Sequence, residues 1–295
     1  MSKVVYCNIT YHCNNACSHC ISHNVRRHSQ KQITIDDYRF LIDKNGVSSC
    51  DYMVISGGEP TLHSSFCDIV QLCYQYTKHI IVYSNGRKLF NLPNNVLNKI
   101  ERIIVPIYGD ASSHNTCVGS KMAYMETMKS IDKIIKLDSE KLDIKILLND
   151  QINTEEQLLQ SPEWNFIKLN THFSVSRIIT PNEPICSKEV VNRAERMINT
   201  LLSLNKIVRF YDFPFCWFSS EFKQFVLACK LTPSTIDSDV VCGIAGMRQN
   251  IFRFNKPTDY FQDCFNCKNA IYCTMIMKNY FCPSINNGQI IITNE

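Results

Sequence analysis

Three cysteines stand on one short segment, Cys13-Asn14-Asn15-Ala16-Cys17-Ser18-His19-Cys20, directly after a run of strand-forming residues. Their spacing, C-x3-C-x2-C, lets three thiolates converge on a single metal centre. Structural zinc sites prefer four ligands, usually as two separated pairs. Three thiolates on one loop, with no fourth nearby, leave a coordination position open for a small chelating molecule. Soft thiolates favour iron–sulfur centres or zinc. His19 as a fourth ligand would be crowded by its neighbour Cys20. A second segment, Ser56-Gly57-Gly58-Glu59-Pro60, follows the next strand-like run. Its paired glycines allow the main chain to approach a ligand closely, and Glu59 offers a carboxylate to a cation. A third, Ser84-Asn85-Gly86, ends a further strand-like run; alone, such an Asn-Gly pair marks a turn.

Near the other end lies a second cysteine group, Cys264, Cys267 and Cys273, spaced C-x2-C-x5-C. Cys216 precedes it in Asp212-Phe213-Pro214-Phe215-Cys216, and Cys229, Cys242 and Cys282 flank it. Sixteen cysteines in 295 residues is high for a chain whose start has no secretory h-region. A cytoplasmic location is therefore expected. Disulfides do not persist in that compartment, so clustered cysteines there point to metal or catalysis. The scattered Cys7, Cys50, Cys67, Cys73, Cys117 and Cys186 are read as small buried hydrophobes.

These groups must be positioned by something regular. Short β-branched runs alternate with helix-like stretches over the first two thirds of the chain. Strands are expected at Val4–Thr10, Tyr52–Ser56, His79–Ser84, Arg102–Tyr108, Asp143–Leu148 and His172–Ile179, with one more at Lys206–Phe210. Helices are expected at Ile35–Lys44, Phe66–Tyr76, Leu92–Lys99, Met122–Lys136, Glu155–Gln160 and Val190–Leu204. Met122, Met125, Met128, Ile131 and Ile135 recur at helical spacing and are read as a core stripe. Repeated βα units imply an α/β fold with a parallel sheet. Six units are too few for a full eight-fold barrel, so a partial, open (β/α)6 TIM-like barrel is expected over residues 1–210. After about residue 211 prolines interrupt and cysteines and aromatics rise. A small cysteine-rich domain, stabilised by metal, is expected over 211–295. Each motif then sits at the C-terminal end of a strand, where α/β folds place their chemistry.

Composition sets outer bounds. Apolar residues at 45% and charged residues at 20% suit a globular protein with a core and exclude a disordered chain, a collagen or a coiled coil. No apolar run approaches the roughly 18 residues of a membrane span, so no membrane partner is expected. A dispersed net charge of +4 gives no reason to expect nucleic acid, and Arg26-Arg27-His28 reads as a solvated loop.

Taken together, the three motifs in this order resemble the signature of the radical S-adenosylmethionine (SAM) superfamily. The resemblance implies that Cys13, Cys17 and Cys20 hold a [4Fe–4S] cluster whose fourth iron is chelated by the amino and carboxylate groups of SAM. It implies that Gly57, Gly58, Glu59 and Pro60 receive the SAM amino group. Ser84 and Asn85 would contact its amino-acid or ribose moiety. Weaker carry-overs are His19 near the adenine, Tyr108 with its strand near the ribose, Asn149 near adenine and ribose, and Arg177 as a cation facing the barrel interior. The C-terminal spacing resembles the SPASM and twitch auxiliary-cluster regions. This implies one auxiliary [4Fe–4S] cluster on Cys216, Cys264, Cys267 and Cys273, with Cys242 as the substitute ligand. A zinc-binding interaction module using the same residues is the different-class alternative.

The activity so implied is reductive cleavage of SAM to a 5′-deoxyadenosyl radical that abstracts hydrogen from a substrate. An external one-electron reductant of flavodoxin or ferredoxin type would be needed. The cysteine spacing inclines the reading toward a ribosomally made precursor peptide, with crosslinking, epimerisation or oxidation of a residue. A small molecule such as an aminoglycoside or sugar is the alternative. With only 13 residues up to the first cysteine, a peptide substrate is expected to need a separate recognition protein or direct groove binding.

Overall fold

The computed structural model describes residues 4–20, 32–49, 51–148, 172–177, 188–210, 213, 217–223, 240–244, 252–254, 284–286 and 289–291. Seven strands run parallel and side by side in chain order: β1 (Val4–Thr10), β2 (Tyr52–Gly57), β3 (His79–Tyr83), β4 (Arg102–Ile107), β5 (Leu142–Leu148), β6 (His172–Arg177) and β7 (Ile207–Phe210). Among the described residues, six helices accompany them: α1 (Ile35–Lys44), α2 (Phe66–Tyr76), α3 (Asn94–Leu97), α4 (Ala111–Val118), α5 (Ala123–Asp138) and α6 (Lys188–Ser203). The α/β architecture with a parallel sheet is as expected.

Alternation along the strands separates two faces. Val5, Cys7, Ile9, Met53, Ile55, Ile80, Val82, Ile103, Val105, Ile144, Ile146, Phe173 and Val175 are buried in one continuous core with the helices. The intervening positions are more polar: Tyr6, Asn8, Tyr83, Pro106 and Lys145 are partly exposed, while Ser174 and Ser176 are buried. Tyr6 and Tyr83, on strands two apart, bring their rings to 6.3 Å, so both project from this second face. Cys7 and Cys73 are fully buried, as small hydrophobes should be. Among the described residues, no helix is long and apolar enough to cross a membrane.

Four features depart from the sequence reading. First, β8 (Val240–Ile244) pairs in parallel with β1, and β9 (Phe252–Phe254) pairs antiparallel with β8, giving the sheet order β7-β6-β5-β4-β3-β2-β1-β8-β9. Without β8, β1 would be an edge with unpaired amides and carbonyls, and the β-branched run Val240-Val241 satisfies it. The hairpin β10 (Ser284–Asn286) and β11 (Gln289–Ile291) also lies in the segment read as irregular. Second, α4 was not anticipated, because ASSHNTCV carries no apolar stripe. It is defined instead by its ends: Asp110 caps the Ser113 amide at 2.8 Å, and Gly119 closes it at φ +66°.

Third, only part of the expected stripe is core: Ile131 is buried and Met128 and Ile135 pack against the core, but Met122 and Met125 do not. Met122 and Met125 are 51% and 58% exposed; the buried positions are Ala123, Tyr124, Thr127, Ser130, Ile131 and Ile134. This face meets polar main chain after β3. The Thr127 hydroxyl donates to Asn85 O at 3.0 Å, and Ser130 Oγ accepts from the Phe90 amide at 2.9 Å. Fourth, the helix expected at Leu92–Lys99 shortens to the single turn Asn94–Leu97 behind Pro93. The expected Glu155–Gln160 helix lies outside the described residues.

Candidate cofactor site at the strand ends

The three motifs meet at the C-terminal ends of β1 to β4. A register shift between Asn8 and Thr10 bends the end of β1 where it pairs with β2. The chain then runs into the cysteine loop, which is held from three sides.

The end of β2 grips its first residues. The Gly58 amide donates to Thr10 O at 2.7 Å and the Glu59 amide to His12 O at 2.8 Å. Such closeness needs glycine. A Cβ on Gly57 (φ +143°) would lie 2.2 Å from Thr10 O, and one on Gly58 would lie 2.4 Å from His12 O. Both glycines thus admit the cysteine loop's own backbone, a role the sequence reading did not foresee.

The end of β3 grips the middle of the loop. Asn85 Nδ2 donates to Asn14 Oδ1 at 2.7 Å and lies 3.8 Å from Cys13 Sγ, which also receives the Asn15 amide at 3.4 Å. Arg87 Nη1 donates to Asn14 O and, at 3.0 Å, to Asn15 Oδ1, while its Nε pairs with Glu126 on α5. Beyond β4, the Val118 carbonyl of α4 accepts the Ala16 amide at 2.8 Å, and Gly119 lies against Ala16. Neither Arg87 nor Glu126 was singled out from sequence. A cation immediately after the Ser84-Asn85-Gly86 turn is the one local signal that could have found the pair.

Glu59 ties β2 to β3. It is fully buried. Oε1 accepts the Thr61 amide (3.1 Å), the Thr61 hydroxyl (2.6 Å) and the Ser84 hydroxyl (2.8 Å), and Oε2 accepts the Asn85 amide (2.7 Å). Burial raises its pKa, and the bonds from Thr61, Asn85 and Ser84 oppose that rise. These four bonds, three on Oε1 and one on Oε2, equal in number the about four acceptor positions of a carboxylate. Pro60 is buried at the start of the short turn that Glu59 caps.

Tyr108, at the end of β4, is buried beside the loop. Burial first, and then the charges of Cys17, Cys117, Cys20 and Cys13, hold its hydroxyl well above the ordinary tyrosine range. Cys17 and Cys117 pack against the small cluster that holds Tyr108. Cys117 was read from sequence only as a packing thiol; its Sγ lies 3.4 Å from His19 Nδ1. Burial lowers His19 to about 4 and raises Cys117 to about 11, so both are neutral at pH 7. The His19 ring packs at 4.8 Å from that of Tyr108, and His114 approaches Tyr108 from α4 at 5.5 Å. Because the Tyr108 amide donates to His114 Nδ1 at 3.4 Å, the His114 proton sits on Nε2, which is buried and unpaired.

The donor set fits an iron–sulfur cube better than one metal ion. Two thiolates on one zinc, at Zn–S of about 2.3 Å, stand roughly 3.8 Å apart. Among the described residues, no three cysteine, histidine or carboxylate groups converge to hold a single ion. A cube spreads its three ligands over three irons, and the amide donors reaching Cys13 favour the thiolate that such a ligand must be. Asn149 and the cysteines Cys216, Cys229, Cys264, Cys267, Cys273 and Cys282 lie outside the described residues, as does the Arg177 side chain. The backbone of Cys242 sits in β8, opposite Tyr6 on β1 and Phe252 on β9.

No protein-family model matches the chain. It is 21% identical over 187 residues to the S-adenosylmethionine-dependent nucleotide dehydratase of Selenomonas ruminantium, covering 57% of this chain and 66% of that protein. It is 30% identical over 81 residues to the mycofactocin maturase MftC of Mycolicibacterium smegmatis, covering 28% of this chain and 20% of that one. Among solved structures, Streptococcus suis SuiB bound to precursor peptide SuiA superposes with a TM-score of 0.60 at 14% identity, over 86% of this chain and 62% of that one. The chain thus spans less than two thirds of the length of each. The likeness to the solved structures shows the fold, a parallel α/β sheet of the kind seen in SuiB. In sequence the chain is similar to one protein named for SAM and a nucleotide and to one named for a maturation reaction.

Proposed function

We propose that this chain is a radical SAM enzyme acting on a ribosomally made precursor peptide. The observation that carries the reading is the junction at the strand ends, where the cysteine loop, the Gly57-Gly58-Glu59 turn and the Ser84-Asn85 turn are bonded into one cradle. Cys13, Cys17 and Cys20 would hold a [4Fe–4S] cluster, which would pass one electron from the external reductant to SAM, so that SAM would give methionine and a 5′-deoxyadenosyl radical able to take hydrogen from the substrate.

The chain's own groups bind and orient. The Gly57 and Gly58 carbonyls, with the Glu59 carboxylate beside them, suit an ammonium. Ser84 and Asn85 border the same place. Tyr108 and the neutral His19 present paired rings for a nucleobase, and the family resemblance assigns the remaining contacts to Asn149 and Arg177. The partly exposed sheet face carrying Tyr6, Asn8, Tyr83 and Lys145 would line the substrate cavity with hydrogen-bonding groups. Cys216, Cys264, Cys267 and Cys273, with Cys242 as substitute, would hold a second [4Fe–4S] cluster of SPASM or twitch type. A flavodoxin- or ferredoxin-type reductant would serve the first cluster.

A peptide substrate is supported by the likeness to SuiB and to the maturase. One observation favours a second reading, a small-molecule substrate of nucleotide or sugar type: the longer sequence match is to the nucleotide dehydratase. The test is anaerobic reconstitution, iron and sulfide counting, and assay of 5′-deoxyadenosine. The reading requires iron, and it requires SAM cleavage that Cys17→Ala abolishes. Bound zinc without iron would support an interaction module instead. Mass shifts in candidate peptides against candidate nucleotides then choose the substrate.

A further inference from the structure

One polar atom in the cradle is unaccounted for: Asn14 Nδ2 is buried and has no hydrogen-bond acceptor. Its identity as nitrogen follows from a chain of bonds. The Arg87 main-chain amide can only donate, and at 3.0 Å it meets the Asn85 side chain, so the atom there is Oδ1. The other Asn85 atom is then Nδ2, a donor, and it meets Asn14 at 2.7 Å, so the Asn14 atom there is Oδ1. What remains on Asn14 is an NH2 group, fixed in orientation by Asn85 on one side. Arg87 fixes it through the Asn14 carbonyl on the other. A donor left buried and unbonded is destabilising. The residue that carries it adjoins Cys13.

We infer that Asn14 is a positioning residue whose side-chain NH2 donates to an anionic acceptor of the group held by the cysteine loop, either cluster sulfur or the carboxylate of SAM. This rests on the cluster assignment above and adds to it a specific donor. Such a bond stabilises negative charge on its acceptor. On sulfur it raises the cluster's reduction potential; on the carboxylate it strengthens SAM binding.

The test compares wild type with Asn14→Asp. That substitution keeps the shape and keeps an oxygen for Asn85, and it replaces the orphan donor with an acceptor. The substitution also adds a negative charge, which by itself lowers a nearby potential, so the neutral Asn14→Ala is measured beside it. If Asn14 serves only to receive Asn85, Asn14→Ala should match wild type in iron content, midpoint potential and SAM affinity. The donor role predicts one of two shifts common to both variants. A potential more negative without SAM in both identifies sulfur as the acceptor. A shift seen only with SAM, with affinity weakened about tenfold or more, identifies the carboxylate. Failure to load iron on an intact apoprotein also supports the donor role. Should the variant not fold, Asn14→Ala is read on its loaded fraction: a more negative potential or weaker SAM binding supports the inference, and wild-type values overturn it. Wild-type values in Asn14→Asp would leave solvent as the acceptor and end the proposal. Failure of the cluster assignment itself is seen separately, as wild-type protein that takes up no iron.

Discussion

Replacing Gly58 by alanine tests whether the glycine pair holds the cysteine loop. The new Cβ would stand 2.4 Å from His12 O and 2.6 Å from Tyr11 O, where ordinary contact begins at 3.4 Å. Both obstacles are main chain, so no rotamer change relieves them. The loop must retreat by about 1 Å. That movement stretches the Gly58–Thr10 and Glu59–His12 bonds, now 2.7 and 2.8 Å, beyond the roughly 3.2 Å limit of a good N–H···O bond. Two lost bonds at about 1 kcal/mol each predict a loss of about 2 kcal/mol. For a urea m-value of about 3 kcal/mol per M, that lowers the unfolding midpoint by about 0.7 M. Cys13 follows His12 directly, so its thiolate moves with the loop, and a displacement of this size costs on the order of a hundredfold in a positioned reaction. Iron per chain after reconstitution and 5′-deoxyadenosine formation should both fall. An apoprotein with an unchanged midpoint and full iron uptake would show that the loop does not depend on this contact.

Three further outcomes follow from the same geometry. Glu59→Gln puts an NH2 group against either the Asn85 amide or the Thr61 and Ser84 donors; a loss of about 2–3 kcal/mol and weaker SAM binding are expected, and unchanged values in both would refute its role as the tie between β2 and β3. His114, buried and facing the Arg87 charge, is lowered from 6.5 to about 4. The unfolded chain therefore binds its proton first, and stability present above pH 6.5 declines by up to about 3 kcal/mol as pH falls toward 4. His114→Gln should flatten this slope in urea titrations at pH 7 and pH 4.5, leaving the share His19 contributes, and an unaltered slope would count against it. Cys267→Ala should lower iron from about eight to about four per chain, and no change would remove the second cluster.

The parallel sheet was legible because its strands are short β-branched runs whose inner positions are apolar, as at Ile80 and Val82 or Ile103 and Val105. The cysteine, Gly57-Gly58-Glu59 and Ser84-Asn85 motifs were legible because thiolate, missing Cβ and short amide have no chemical substitutes at those places. Contacts that join distant elements were not. Arg87 and Glu126 lie 39 residues apart and are ordinary surface types until the fold brings them together. The buried face of α5 was misjudged at Met122 and Met125 because hydrophobicity alone ranks them above Thr127 and Ser130, whose value lies in bonds to another loop. Helix α4 was missed for a related reason, since its signals are a cap and a closing glycine rather than a stripe.

A loop that must present three thiolates with one coordination position open cannot rely on the metal alone to shape it, since a fully flexible loop could offer a fourth group to the open iron. Here the shaping is done by neighbours in strand order. The end of β2 fixes residues 10–12, the turn after β3 fixes residues 13–15, and the end of α4 after β4 fixes residue 16. Most of these anchors are main chain, with little freedom of their own to lose; the long Arg87 side chain is held by its pair with Glu126. The thiolates of Cys13 and Cys17 are thereby spaced by the sheet. His19, the nearest alternative ligand, is engaged with Cys117 and Tyr108. On the proposed function, the fourth position would be kept for SAM by geometry imposed from outside the loop, and residues far from the cysteine loop in sequence, Arg87 and Val118 among them, would belong to the site.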